Sequence, residues 1–183
     1  SPVFCPDPET AEKMMAAIIA IKEEKDSLGG IVELITSALP PGLGDPIYEK
    51  LQANLAKAMF TLPAVKGFEI GSGFSATRMQ GSAHNDLFTE SHGKVVTQTN
   101  HAGGVLGGIS NGMPLMLRVA FKPPSSIRKP QETLDLGKQK AVLELPEGSR
   151  HDPCVAIRAV PVVEAMCALV LADSLLMNRC ARL

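Results

Sequence analysis

A chain of 183 residues is long enough to bury a substantial core and is read as one domain, residues 1–183. Its 19 acids nearly cancel 18 Lys and Arg, so no global field draws it to nucleic acid or to an anionic membrane. Aromatics make up 4% with no Trp, which leaves bases little to stack on and predicts an aliphatic core. Cys5, Cys154, Cys167 and Cys180 show no Cys-x-x-Cys spacing, which favours free thiols in a reducing compartment over disulfides. The start, SPVFCPDPE, has neither the basic nor the apolar region of a signal peptide and lacks an initiating Met, as expected of a cut or truncated chain.

In chain order, Asp7-Pro8-Glu9 predicts a helix start: a capping acid, Pro at the first helical position and a further acid in the first turn. Met14, Ile18 and Ile21 repeat at helical spacing, and the helix fades in KEEKDS before Gly29-Gly30. Ile31–Ala38 is short and β-branched, a strand. A second helix carries Ile47, Leu51, Leu55 and Met59 on one stripe and ends at Pro63. Val65–Ile70 and Phe74–Met79 read as a strand pair around Gly71-Ser72-Gly73. Gln80–Thr99 is polar and aperiodic and predicts a long mobile loop.

Pro114–Lys122 is the clearest strand, with Leu115, Leu117, Val119 and Phe121 on one face. Pro123-Pro124 stops it, the stretch to Leu136 reads as irregular, and Lys140–Leu145 is the last strand. From Val160 to Met177 only Pro161, Glu164, Asp173 and Ser174 interrupt an apolar run. A helix apolar nearly all round lies in a core or in a membrane. Its two acids leave it short of the roughly 20 apolar residues of a span, so a buried core helix is expected. Helices and hairpins mixed in this way give an α+β fold, helices packed on an antiparallel sheet.

Three stretches carry candidate chemistry. Asn100–Gly112 holds five glycines, so its backbone can approach a ligand and aim N–H groups at an anion, or can simply turn at a sheet corner. It lacks the Gly-Lys-Ser/Thr ending of a nucleotide-triphosphate loop. Arg118, Lys122, Arg128 and Lys129 occur with no acid between them, and Ser125-Ser126 sits beside Lys122; this suits a phosphate or a solvated basic loop. Arg150-His151-Asp152-Pro153 delivers a cation and an acid on a stiff loop at the head of the apolar run, an active-site pair or a solvated turn. His84, Asp86, Glu90 and His92 match no standard metal spacing.

Four ordered blocks, VKGFEIGSGF, NHAGGVLGGISNG, FKPPSSIRKPQ and RHDPCVAIRAVPVVEAM, closely resemble the chorismate synthase family, and the opening CPDPETAEKM looks familial too. The family's N-terminal half, with its Gly-x-Ser-His block and arginine-rich motifs, has no counterpart here, so the chain resembles a C-terminal half. The resemblance implies a fold in which helices lie between two antiparallel sheets, this chain supplying one sheet of that β-α-β sandwich. It implies a homotetrameric lyase of aromatic amino acid biosynthesis, the shikimate pathway, in the cytoplasm or a plastid. Its reaction removes phosphate from 5-enolpyruvylshikimate-3-phosphate to give chorismate and needs reduced FMN.

The same resemblance assigns residues. Lys122, Ser126, Gly107, Gly108, His151 and Asp152 are expected to hold the flavin. Arg150 is expected to bind substrate, and Asp152 also to handle the proton. No metal, nucleic acid or membrane is expected. Two rival readings stand beside it: a phosphate-ligand module without catalysis, and a structural or oligomerising core.

Overall fold

A computed structural model describes residues 1–146 and 148–181; Glu147, Arg182 and Leu183 lie outside them. The chain divides into two compact units, Ser1–Gly30 with Phe121–Val160, and Ile31–Ala120 with Pro161–Leu183. In the first unit, helix α1 (Pro8–Glu23) starts as the sequence predicts: the Asp7 carboxylate accepts from Thr10 N at 2.8 Å and Pro8 opens the helix. Behind it, Leu28 pairs with Cys154, its N–H donating to Pro153 O at 2.7 Å. Glycine is required at this junction. A Cβ at Gly29 would meet Phe121 O at 2.6 Å, and one at Gly30 would meet Ala156 Cβ at 2.7 Å.

The second unit contains strand β1 (Gly30–Ala38), whose first residue is the junction glycine, helix α2 (Leu51–Phe60) and strand β2 (Val65–Ile70). Next come a 3₁₀ turn (Gly73–Arg78), helix α3 (Gly81–His84) and the hairpin β3 (Phe88–Ser91) and β4 (Lys94–Thr97). A short hairpin β5 (Val105–Leu106) and β6 (Ile109–Ser110) leads into strand β7 (Pro114–Phe121). The central sheet has the order β1-β7-β2. Gly67 faces Ala120 while Gly71 N bonds Met116 O, and Glu33 meets Arg118 while Thr36 meets Leu115. Both neighbours therefore run antiparallel to β7.

Burial alternates along β7 as predicted, with Leu115, Leu117, Val119 and Phe121 inside. Within the second unit, Leu115, Leu117 and Val119 join the α2 stripe Leu51, Leu55 and Met59 and the residues Val32, Val65 and Val163 in the core. The fold is α+β, helices with antiparallel sheets. Helix α4 (Ala156–Cys180) closes the chain.

Several expectations are corrected. Ile47 lies outside α2 and is 74% exposed, because the Asp45–Glu49 bridge turns the chain before the helix starts at Leu51. Phe74–Met79 is not a strand. Gly71 and Gly73 take φ of +56° and +52°, and the Glu69 carboxylate accepts from Phe74 N at 3.0 Å, winding the chain into the 3₁₀ turn. The aperiodic Gln80–Thr99 stretch holds α3 and the β3–β4 hairpin. The stretch before Leu136 contains β8 (Gln131–Leu134), paired antiparallel with β9 (Lys140–Leu143). Apart from Val96 and Thr97 at the end of β4, both hairpins are largely exposed, so neither shows a period in sequence.

The largest correction concerns α4. It is long and apolar enough to cross a membrane by length and composition, yet only 17% of its apolar window is buried. Val163, Cys167 and Ser174 form one buried stripe, while Val162, Leu169, Leu176 and Met177 face outward. Asn178 Nδ2 ties the helix to Gly42 O at 2.9 Å. The sequence reads as a helix buried all round; the described chain covers one side of it.

Candidate functional site

The loop ahead of α4 carries the predicted Arg150, His151 and Asp152. They line a polar pocket of about 220 Å³ together with Arg158, one turn into the helix. Arg158 Nη2 lies 3.3 Å from Asp152 Oδ1, which leaves Oδ2 without an ion-pair partner among the described residues. Asp152 precedes the first residue of α4 by four positions and makes no capping bond among the described residues. His151 Nδ1 is buried and has no hydrogen-bond partner among the described residues. A buried, unsatisfied ring nitrogen is costly and calls for a partner from outside.

The basic segment sorts into two kinds of cation. Arg128 donates from Nε and Nη2 to Ser149 O at 3.2 and 2.6 Å, holding the residue before Arg150. Its own N–H, like that of Lys129, bonds Lys25 O, and Lys129 Nζ lies 3.2 Å from the Asp26 carboxylate. Ser27 Oγ donates to Pro124 O at 2.6 Å. These contacts pin the segment and occupy two of its charges. Lys122 makes no ion pair among the described residues; its ammonium reaches only Pro123 O at 3.4 Å. Arg150 makes none either. Ser126 is exposed. Within the basic segment and the loop before α4, Lys122 and Arg150 are thus, among the described residues, the cations left for an anionic ligand.

In the second unit, Gly107 and Gly108 form the tip of the β5–β6 hairpin, with φ of +61° and +96°. A Cβ at Gly107 would meet nothing within 4 Å, whereas one at Gly108 would strike Lys50 Cγ at 2.7 Å. Gly108 O accepts from Leu51 N at 2.8 Å, so this carbonyl is spent on the start of α2. Gly107 is the open one. Arg118 is removed from the candidate cations: it bonds Glu33 and Glu69 across the sheet. The His101 ring faces the Ser72 hydroxyl at 3.2 Å and stacks on His84 at 5.5 Å. Asp86, weighed in the sequence only as a metal ligand, instead accepts three hydrogen bonds, from Thr99, His101 and Ala102. No short-range pattern connects residues so far apart. Among the described residues no cluster fits a metal.

The fold and this pocket define a class, α+β proteins with a polar, arginine-lined pocket suited to an anionic ligand. Comparison with known proteins says which. The family described as chorismate synthase matches residues 1–176. Chorismate synthase of Protochlamydia amoebophila is 56% identical over 183 residues, covering 100% of this chain and 50% of that protein. A tomato relative, chorismate synthase 1, chloroplastic, is 55% identical over 175 residues, 95% of this chain and 39% of that protein. A crystal structure of chorismate synthase superposes with a TM-score of 0.74 at 36% identity, covering 94% of this chain and 44% of that one. The chain belongs to the chorismate synthase family and spans about half the length of the curated relatives it matches.

Proposed function

We propose that the chain is the C-terminal half of a chorismate synthase. Joined to the remaining half, it contributes to the anti-1,4-elimination of phosphate from 5-enolpyruvylshikimate-3-phosphate. The C–O bond to phosphate breaks, a ring proton leaves, and a new ring double bond gives chorismate. The observation that carries this reading is identity above half over the whole chain, with Arg150 and Lys122 making no ion pair among the described residues. Two carboxylates and a phosphate on the substrate need fixed cations, and Arg150 is positioned on a Pro-stiffened loop to supply one.

The residues present suit FMN. Lys122 offers a charge and Ser126 a hydroxyl to a phosphate, and the orphaned His151 Nδ1 offers one hydrogen bond to a bound polar group. Gly107 presents open backbone and, with Gly108, is proposed for the same ligand on the strength of the resemblance. Reduced flavin, when bound, supplies electron density for loss of phosphate with no net change of oxidation state. Asp152, held through Oδ1 by Arg158, keeps Oδ2 to take or return a proton. A homotetramer in the cytoplasm, or in a plastid for a plant or algal chain, belongs to the same proposal.

The exposed apolar side of α4 favours a second reading for the chain in isolation, a structural core awaiting its other half. One experiment tests both. Neither this chain alone nor an N-terminal half alone should form chorismate from substrate and reduced FMN without oxygen; mixed, they should. No turnover from a mixture of two folded halves would overturn the proposal.

A further inference from the structure

One carboxylate outside the proposed site holds the glycine-rich segment in place. Asp86 Oδ1 accepts from His101 N at 2.8 Å and from Thr99 Oγ1 at 2.7 Å, and Oδ2 accepts from Ala102 N at 2.8 Å. Asn100 closes the same turn from the other side, its Nδ2 donating to Pro114 O at 2.8 Å and its Oδ1 accepting from Gly104 N at 2.7 Å. The turn then continues into the β5–β6 hairpin: Gly104 O accepts from Asn111 N at 3.1 Å, directly below the strands that carry Gly107 and Gly108.

A third support comes from the Gly71–Ser72 bend. Ser72 N donates to His101 O at 2.7 Å, and its hydroxyl meets His101 Nδ1. Gly71 must be glycine, since a Cβ there would strike His101 O and Gly103 N. The backbone at His101 and Ala102 is thus fixed on both its N–H and C=O sides. Burial would raise the Asp86 carboxyl, but the bonds from Thr99, Ala102 and His101 outweigh it and hold the group below the ordinary carboxylate range. Asp86 is charged when it accepts these bonds, and both its oxygens are engaged. Three of its roughly four acceptor sites are taken by the turn.

We propose that Asp86 is the positioning residue of the glycine-rich turn, fixing His101 and Ala102 so that the Gly103–Gly108 backbone keeps the shape it offers a ligand. The identity of that ligand as FMN rests on the function proposed above; the anchoring role does not. Asn in place of Asp keeps one acceptor oxygen but turns the other into a donor that confronts an N–H.

The experiment compares the 183-residue chain with Asp86→Asn by amide hydrogen exchange and by FMN titration. The His101 and Ala102 amides should exchange about 10- to 100-fold faster in the variant while those of β7 stay protected. FMN affinity should fall roughly tenfold. Unchanged exchange at His101 and Ala102 overturns the proposal, as does unchanged FMN affinity where the wild-type chain binds FMN. If the wild-type chain binds no FMN, the flavin reading fails for this chain and exchange alone decides the anchoring role. Should Asp86→Asn not fold, Thr99→Val removes one donor and keeps the shape; faster exchange at His101 and Ala102 supports the proposal, and wild-type exchange overturns it.

Discussion

Asp152 shows how a single contact separates two roles for one residue. Its only ion pair among the described residues is with Arg158, whose side chain is 65% exposed, and such pairs contribute about 0.2–1 kcal/mol. Asp152→Asn in the joined enzyme should therefore change the melting temperature little. If Oδ2 moves the proton, the chemical step should slow about 10²–10⁴-fold with FMN binding retained, read in single turnovers with reduced flavin. A near-normal rate would make Asp152 an orienting partner of Arg158 and leave Arg150 as the working residue of the loop. The clustering of Arg150, His151 and Asp152 was legible because the residues are consecutive. Asp86 was not, because it bonds an amide 15 residues away and lies in a stretch with no period.

Elements were legible to the extent that one of their faces is buried. β7 alternates because a core lies on one side of it, and α2 shows Leu51, Leu55 and Met59 at helical spacing for the same reason. The β3–β4 and β8–β9 hairpins are held by backbone pairing and leave no such trace. On the outer face of the central sheet, Arg118 joins Glu33 on β1 to Glu69 on β2. The bond from Phe74 N is the largest influence on Glu69 and holds its carboxyl below the ordinary carboxylate range; burial opposes it and Arg118 adds to it. A carboxyl depressed in the folded state stabilises fully above its unfolded value and loses that contribution as pH falls through the folded one. Melting temperature against pH should thus fall more steeply in the wild type than in Glu69→Gln below about pH 4.3. Parallel curves for the two proteins would show that the three-strand ion network does nothing for stability.

At the scale of the whole molecule, apolarity and burial come apart. The composition of α4 reads as a helix that belongs in an apolar environment, but burial needs a partner surface, and the described chain provides one stripe only. The remaining half proposed above is one candidate for that surface. Leu169, 66% exposed, makes the test quantitative. In the isolated chain Leu169→Ala should shift stability by no more than about 0.5 kcal/mol, as for an ordinary surface substitution. If the other half covers this face, the same change should weaken association of the two halves by about 2 kcal/mol, roughly 30-fold in Kd, through loss of a buried leucine. Titration calorimetry or complementation of activity reads the second quantity, and denaturant unfolding of the chain reads the first. Association unaffected by Leu169→Ala would mean that another surface joins the halves. A large loss of stability in the isolated chain would mean that α4 is covered on this side without them.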